Sequence, residues 1–400
     1  MQLCFFTDEL ASNFQPLTLT RPLDDLRIGV LTIGEKWIHH LNPTNTTRLS
    51  PTYLRDLFET DPLSEDDLTV WINSRYLPTP SLIESIQSLK PGDFLYEDSF
   101  LVAAMLDGVS SINLFQNDAA PTKPLNVKTV ESDVLSIRYF WDMLTLNASQ
   151  IEADLALFQL PSMEYSKDFT SITAVNPENI FVDRTANIEP GVILIAKDGP
   201  IFIDEGATIE AGSIIRGPVA ICAHATVKMM AQIFGGSTIG PVCKAAGEIN
   251  NVILHSYTNK AHDGFMGNSV IGQWCNFGAG TVTSNLKNNY GHVKIPHWET
   301  GNLSEIGVQF CGTIMGDHSK TAIGTTLNTG SVCGVSSNIL SSGFPPKVIR
   351  SFSWVSDNGI MEYRFNHAIE TMKAMMERRK IPMTDSYHEM MLAIFNHKHR

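Results

Sequence analysis

Between Ile203 and Ile239 an aliphatic residue returns at every sixth position: Ile203, Ile209, Ile215, Ile221, Val227, Ile233 and Ile239. With Ile, Leu and Val at roughly a fifth of positions, seven hits in a row arise by chance about once in 100,000 starting registers. A period of six fits neither an α-helix, which repeats every 3.6 residues, nor a simple strand, which repeats every two. It marks a repeat architecture whose short units bury their apolar side only against their neighbours. A coil with three short flat faces satisfies it. One large aliphatic side chain per face points into a narrow interior, and small or polar residues such as Asp204-Glu-Gly-Ala-Thr and Glu210-Ala-Gly-Ser form the corners. Coils then stack through parallel ladder hydrogen bonds.

The 400 residues, 43% hydrophobic and 18% charged, allow two or three globular domains. A net charge of -13 argues against a nucleic-acid backbone or an anionic membrane as main partner. The six cysteines (Cys4, Cys222, Cys243, Cys275, Cys311, Cys333) show no CxxC pair and no metal-ligand spacing, which points to free thiols in a reducing compartment. The start MQLCFFTDELASNF lacks a basic stretch before a long apolar run, and no apolar run of 18 residues occurs. Neither a signal peptide nor a membrane span is expected, and a cytoplasmic location is.

Along the chain, Leu3-Cys-Phe-Phe6, Leu68 to Asn73, Phe94 to Tyr96 and Phe100 to Ala104 read as strands, and Gly29 to Leu41 and Ser81 to Leu89 as helices. This alternation suggests an α/β unit. Asn117 to Pro124 reads as a loop, and Ser132 to Leu146 as an amphipathic linking helix with Ser132 or Asp133 near its N-cap. The hexad pattern begins near Val182 and Ile188, breaks at Asp198-Gly-Pro and resumes at Ile203. After Ile239 it resets to Ile253, Phe265, Ile271 and Phe277 with Asn259 in the intervening slot. Residues 285 to 305 form a long loop, and Val308, Ile314, Ile323, Thr329 and Val335 continue the repeat until Phe344-Pro-Pro stops it. Gly359 to Lys380 and Ser386 to His397 read as terminal helices. The expected domains are 1–165, a degenerate nucleotidyltransferase-like α/β domain with a helical linker; 166–345, the prism; and 346–400, a helical tail.

The hexad pattern resembles that of left-handed parallel β-helix acyltransferases, whose prisms trimerise. Within it, Asn259-Lys-Ala-His262, Gly267, Asn276-Phe-Gly-Ala-Gly-Thr281 and Thr283-Ser-Asn285 are similar to the KAGH, Gly-Asp and NIGAGTITCN segments of the GlmU family, the bifunctional enzymes of UDP-N-acetylglucosamine synthesis. The resemblance implies transfer of an acetyl group from acetyl-CoA to the amine of glucosamine 1-phosphate. It makes His262 the base and has Asn285 hydrogen-bond the amine or acetyl group, while Asn276 holds the sugar and backbone N–H groups of Gly278, Ala279 and Gly280 face the oxyanion or CoA. The sequence departs from the family where Asn250 stands for its sugar-phosphate lysine, Phe265 for its sugar-contacting tyrosine and Leu286 for a second tyrosine. Lys244, then Lys260, are the replacement phosphate contacts. No metal is expected: His292 and His297 have an H-x4-H spacing but lie in the long loop rather than on hexad faces, and His255 and His262 are seven residues apart near one face.

Ser284 to Tyr290, Gln309 to Lys320 and Gly343-Phe-Pro-Pro-Lys347 resemble a GlmU-like subgroup of bacterial sugar nucleotidyltransferases. Lys287, Asp317, His318, Ser319 and Lys320 are dense in polar groups, and Lys320 and Lys347 are the candidate contacts to CoA phosphates. The stretch Thr18 to Trp37 resembles the start of the same subgroup, which implies nucleotide contacts at Arg21, Arg27 and Lys36 and a magnesium position at Asn73, where the family has Asp. The glycines that precede Thr-Arg in the active enzymes are absent. Two readings of this half stand: a nucleotidyltransferase that makes the chain bifunctional, or a degenerate module for assembly or ligand sensing. For the whole chain, the alternatives to acetyl transfer are a nucleotidyltransferase with a purely trimerising prism and a non-catalytic nucleotide-sugar-binding assembly protein.

Overall fold

The computed structural model describes residues 1–58, 61–130, 134–158, 162–163 and 171–397. The chain forms two compact units. The first comprises Met1–Phe14, Arg21–Leu26 and Leu31–Tyr139, the second Gln15–Thr20, Arg27–Val30 and Phe140–Arg400. The expected boundary at 165/166 lies outside the described residues.

The first unit is built on a six-stranded sheet in the order Thr46–Arg48, Gln2–Phe6, Thr69–Asn73, Phe100–Leu106, Asp93–Glu97, Asn126–Thr129. Gln2–Phe6 pairs in parallel with both neighbours, and Phe100–Leu106 runs antiparallel to both of its own. Gln2–Phe6 and Thr69–Asn73 are buried at every residue, which is why they read as continuous runs of β-formers rather than alternating ones. The helix expected from Gly29 starts at Ile33. Thr32 accepts the Glu35 N–H while the Glu35 carboxylate accepts the Thr32 N–H, a capping box that fixes the first turn. A helix over Gly108–Gln116, capped by Asp107, was hidden in the sequence by its weak amphipathicity.

The second unit is a parallel β-helix of about ten turns followed by two helices. Its first face stacks Ile180–Val182, Ile201–Ile203, Val219–Ile221 and Ser237–Ile239, and its second stacks Asn187–Ile188, Thr208–Ile209, Thr226–Val227 and Lys244–Ala245. The third stacks Thr173–Val175, Ile193–Ile195, Ile214–Arg216 and Gln232–Phe234. Later coils extend all three. The seven aliphatic residues from Ile203 to Ile239 are all buried plugs of the interior.

Beyond Ile239 the register differs from the expected one. Ile221 pairs with Ile239, but Ile239 pairs with Leu254 and Leu254 with Ile271, so the coils shorten. The plugs there are Ala245, Leu254, Lys260, Met266, Ile271 and Phe277, while Asn259 and Phe265 are only partly buried beside their plugs. A one-residue slip turns a side chain from interior to surface. Ile323 is 82% exposed on a corner, and Leu327 fills the interior in its place. Val308 follows a hairpin, Lys294–Pro296 with Leu303–Glu305, inside the expected long loop. Stacking continues past Pro346 through Val348–Ile349 and Ser353–Ser356. Gly359–Glu362 pairs back on Ser353–Ser356, so the terminal helices are Phe365–Glu377 and Asp385–His397 rather than starting at Gly359. That hairpin covers the last open rung.

The helix expected over 132–146 is observed at Phe140–Leu155, and Ser132 and Asp133 lie outside the described residues. Its Asn147 and Asp154 side chains accept the N–H groups of Gly29 and Val30 at 2.6 and 2.7 Å. Asn147 also donates to Gly236 O and Thr238 Oγ1 on the prism. Gly29 has φ +81°, and a Cβ there would lie 2.4 Å from the Asp154 carboxylate. All six cysteines are buried free thiols. Among the described residues no helix is long and apolar enough to cross a membrane.

Candidate functional site

The third face and its two corners gather one group of the expected site residues. Glu248, Ile249 and Asn250 pair with Phe265, Met266 and Gly267, and Met266 pairs with Thr283. His262 is exposed on the corner that leads into Phe265. Its turn stacks on the Gly278–Gly280 turn of the next coil: a Cβ on Gly264 would lie 2.2 Å from Thr281 O, and one on Gly278 2.5 Å from the Ala322 backbone. Gly278 N–H is committed to Thr321 O and Oγ1. The N–H groups of Ala279 and Gly280 have no hydrogen-bond partner among the described residues.

At the other end of this face three asparagines stand one above another. Asn285 Nδ2 donates to Asn268 Oδ1 at 2.7 Å. With the Asn251 amide oriented to satisfy its neighbours, Asn268 donates to it at 3.0 Å and Asn251 donates to Gly236 O and Leu144 O. Every N–H of this ladder points toward Asn251, so among the described residues the carbonyl oxygen of Asn285 is its free end. Asn250, Asn251, Asn268 and Asn285 line a cavity of about 530 Å³ together with Phe310. Asn251 and Asn268 were missed from sequence, although with Asn285 they recur one coil apart.

Lys260 does not face substrate. It occupies an interior slot, 1% exposed, and its ammonium donates to the carbonyls of Ala246, His262 and Asp263 at 3.2, 2.6 and 3.0 Å. It thereby braces the turn that carries His262. Burial pushes this lysine down to about 8. An unfolded lysine keeps its proton to about pH 10.4. Between these values the unfolded chain binds more protons than the folded one, so stability rises with pH there, and below pH ~8 the folded state carries the full desolvation cost. Urea midpoints measured at about pH 7.5 and 9.5 are expected to rise for the parent and to rise less for Lys260→Met; equal slopes would exclude this role.

The second face carries another group. Lys244, Asn259, Asn276 and Lys320 occupy one position on successive coils and line a cavity of about 430 Å³ with Arg378 and Arg379. The arginines follow the Phe365–Glu377 helix, where sequence reading weighed only core packing. Lys347 lies elsewhere, with Nζ on Lys294 O at 3.2 Å, and it is held below the usual lysine range by burial and then by Lys287. His318 is buried, hydrogen-bonded to Tyr387 at 2.8 Å and stacked on Trp274; Asp317 accepts the Gln273 N–H.

The expected nucleotide contacts are all buried in their own units. Arg21 pairs with Asp25 at 2.9 Å, and Arg27 donates to Val30 O. Lys36 is 1% exposed on the Ile33–Leu41 helix. Asn73 donates to Asp8 and to Leu101 O. Asp8 is held below the usual carboxylate range despite its burial, because Arg75 and Asn73 hydrogen-bond it and Arg75 adds its charge. Beyond the carboxyl ends of Gln2–Phe6 and Thr46–Arg48 a cavity of about 320 Å³ is lined by Thr7, Ser50 and Arg55, the place where open α/β sheets hold ligands.

Residues 3–162 match a family model described as sugar nucleotidyl transferase. The bifunctional protein GlmU of Trichormus variabilis is 29% identical over 180 residues, covering 39% of this chain and 39% of that protein. GlmU of Methanocaldococcus jannaschii is 30% identical over 178 residues, 41% of this chain and 40% of that protein. The match thus spans about two fifths of these relatives' length. Among solved structures, a mutant of the N-acyltransferase AntD from Bacillus cereus, in complex with dTDP and coenzyme A, aligns at 12% identity and TM-score 0.22 over 55% of this chain and 98% of that one. The acetyltransferase domain of PglB from Neisseria gonorrhoeae, in complex with acetyl coenzyme A, aligns at 10% identity and TM-score 0.21 over 90% and 98%. Likenesses this distant assign no ligand. A sugar nucleotidyl transferase signature thus covers residues 3–162, and similarity to GlmU proteins extends over about two fifths of the chain; together they support a GlmU-like transferase.

Proposed function

We propose that the β-helix transfers the acetyl group of acetyl-CoA to the amine of an amino-sugar 1-phosphate, glucosamine 1-phosphate being the acceptor that the family resemblance implies. The observation that carries this reading is the polarity of the asparagine ladder: it leaves Asn285 with a carbonyl oxygen, the group that accepts from an amine, at a cavity of about 530 Å³. An ammonium has no lone pair, so a base must first hold its proton. The exposed imidazole of His262 is that base in this reading; it stands at the opposite end of the third face from Asn285, so the two reach one amine only across a groove between copies in the proposed trimer. The amine then forms the C–N bond, the C–S bond breaks, and the Ala279 and Gly280 N–H groups stand ready for the oxyanion. Phe265 and Asn250 shape the acceptor side, Asn276 lies on the neighbouring face, and Lys320 is the cation for the CoA phosphates in this reading, while Lys347, the other expected contact, lies away from it on Lys294 O. A homotrimer in the cytoplasm is the proposed working form; exposed apolar Ile323 and Phe344 on the prism support self-association. The test is release of CoA thiol from acetyl-CoA on addition of glucosamine 1-phosphate: acceptor-dependent release is expected, and none at any acceptor concentration would end this reading.

The first unit, in the same proposal, binds a sugar nucleotide or assists assembly without nucleotidyl transfer. Its expected contacts Arg21, Lys36 and Asn73 are buried, and Arg27, also buried, belongs to the second unit. The residues do not fit magnesium, because an amide replaces the family carboxylate and Asp8 is engaged by Arg75 and Asn73. With UTP, N-acetylglucosamine 1-phosphate and magnesium, no pyrophosphate is expected above background; steady release would restore the bifunctional reading.

A further inference from the structure

We infer that the cavity between the second prism face and the end of the Phe365–Glu377 helix is an anion site that takes the phosphate of a small phosphorylated ligand. Its volume of about 430 Å³ is in the range of small-molecule pockets, about 300–1,000 Å³. Four cations, Lys244, Lys320, Arg378 and Arg379, and two carboxamides, Asn259 and Asn276, line it, and among the described residues no carboxylate does. That sign is notable on a chain of net charge -13.

The placement is built rather than incidental. Lys244, Asn259, Asn276 and Lys320 are consecutive rungs of one ladder, so the two lysines flank two amides across three rung spacings, about 14 Å. Arg379 is fixed on the Lys244 side by its hydrogen bond to Asn259 Oδ1 at 2.9 Å. Burial holds the Lys244 ammonium below its ordinary range, and the charges of Arg379, Lys228 and Arg378 push the same way. Glu210, the carboxylate that opposes them, is ion-paired to Lys228. A bound dianion would relieve this repulsion, and Arg and Lys together are the usual partners of phosphate. Arginine after a helix also complements the helix dipole, and the Lys320 ammonium donates to His318 O at 2.8 Å while burial pushes it down to about 8, but neither explains Lys244 on the prism opposite.

A phosphate monoester of an acceptor and the 3′-phosphate or diphosphate of CoA share this chemistry. Titration of the full chain at constant chloride, with inorganic phosphate, glucosamine 1-phosphate and adenosine 3′,5′-bisphosphate as separate probes, distinguishes them. Saturable binding of at least one probe is expected, weakened about tenfold by Lys244→Gln and by Arg378→Gln, with unfolding midpoints kept near the parent value because both side chains reach solvent. Tighter sugar phosphate assigns the site to the acceptor, tighter bisphosphate to CoA. No binding of any probe, or binding unchanged in both variants, would overturn the inference. The site is argued from this cavity alone: phosphate binding without acetyl transfer would sink the proposed reaction and leave the site standing.

Discussion

His262→Ala is expected to bring acceptor-dependent CoA release down by roughly 100- to 10,000-fold, the range that a positioned general base contributes. The fold should be untouched. His262 is exposed on a corner, and only its backbone carbonyl takes part in the brace from Lys260. The unfolding midpoint therefore stays within error of the parent while turnover collapses. Near-parental turnover in a folded His262→Ala chain would remove the base from this mechanism.

Gly264→Ala tests the corner instead of the imidazole. Gly264 has φ +115°, and a Cβ there would lie 2.2 Å from Thr281 O, a backbone atom of the next coil. A methyl group cannot be fitted without separating the His262 turn from the Gly278–Gly280 turn. Strain on the order of 2 kcal/mol or more is expected, read as a lower urea midpoint, together with a drop in turnover of at least tenfold. Gly343→Ala is the control: it has ordinary φ and nothing within 4 Å of its added Cβ. It should change neither quantity. Equal behaviour of the two variants would show that the stacked corners do not set the site.

What could be read from the sequence follows from how the coils are built. From Ile203 to Ile239 every hexad is complete, and the prism was legible from residue identity alone. After Ile239 shortened coils shift the register, so that Lys260, an apparent substrate contact, is an interior plug and Asn259 beside it faces the basic cavity. Periodicity carries no information about such a slip when the interior residue is a lysine. Arg27 reads as a nucleotide contact only through the resemblance of Thr18 to Trp37 to a family start, and the stretch Arg27 to Val30 is placed differently. Its N–H groups instead meet Asn147 and Asp154, a long-range partnership that no local pattern reveals. Arg378 and Arg379 were hidden for the same reason. Their meaning depends on Lys244 and Lys320, distant in sequence and close only once the helix folds back on the face.

The central claim is that the β-helix acetylates a free amine. The most direct measurement compares CoA release from acetyl-CoA with glucosamine 1-phosphate and with its N-acetylated counterpart, in which that amine is already blocked. Release with the free amine and none with the blocked one is the expected result. Equal release with both, or none with either, would contradict it.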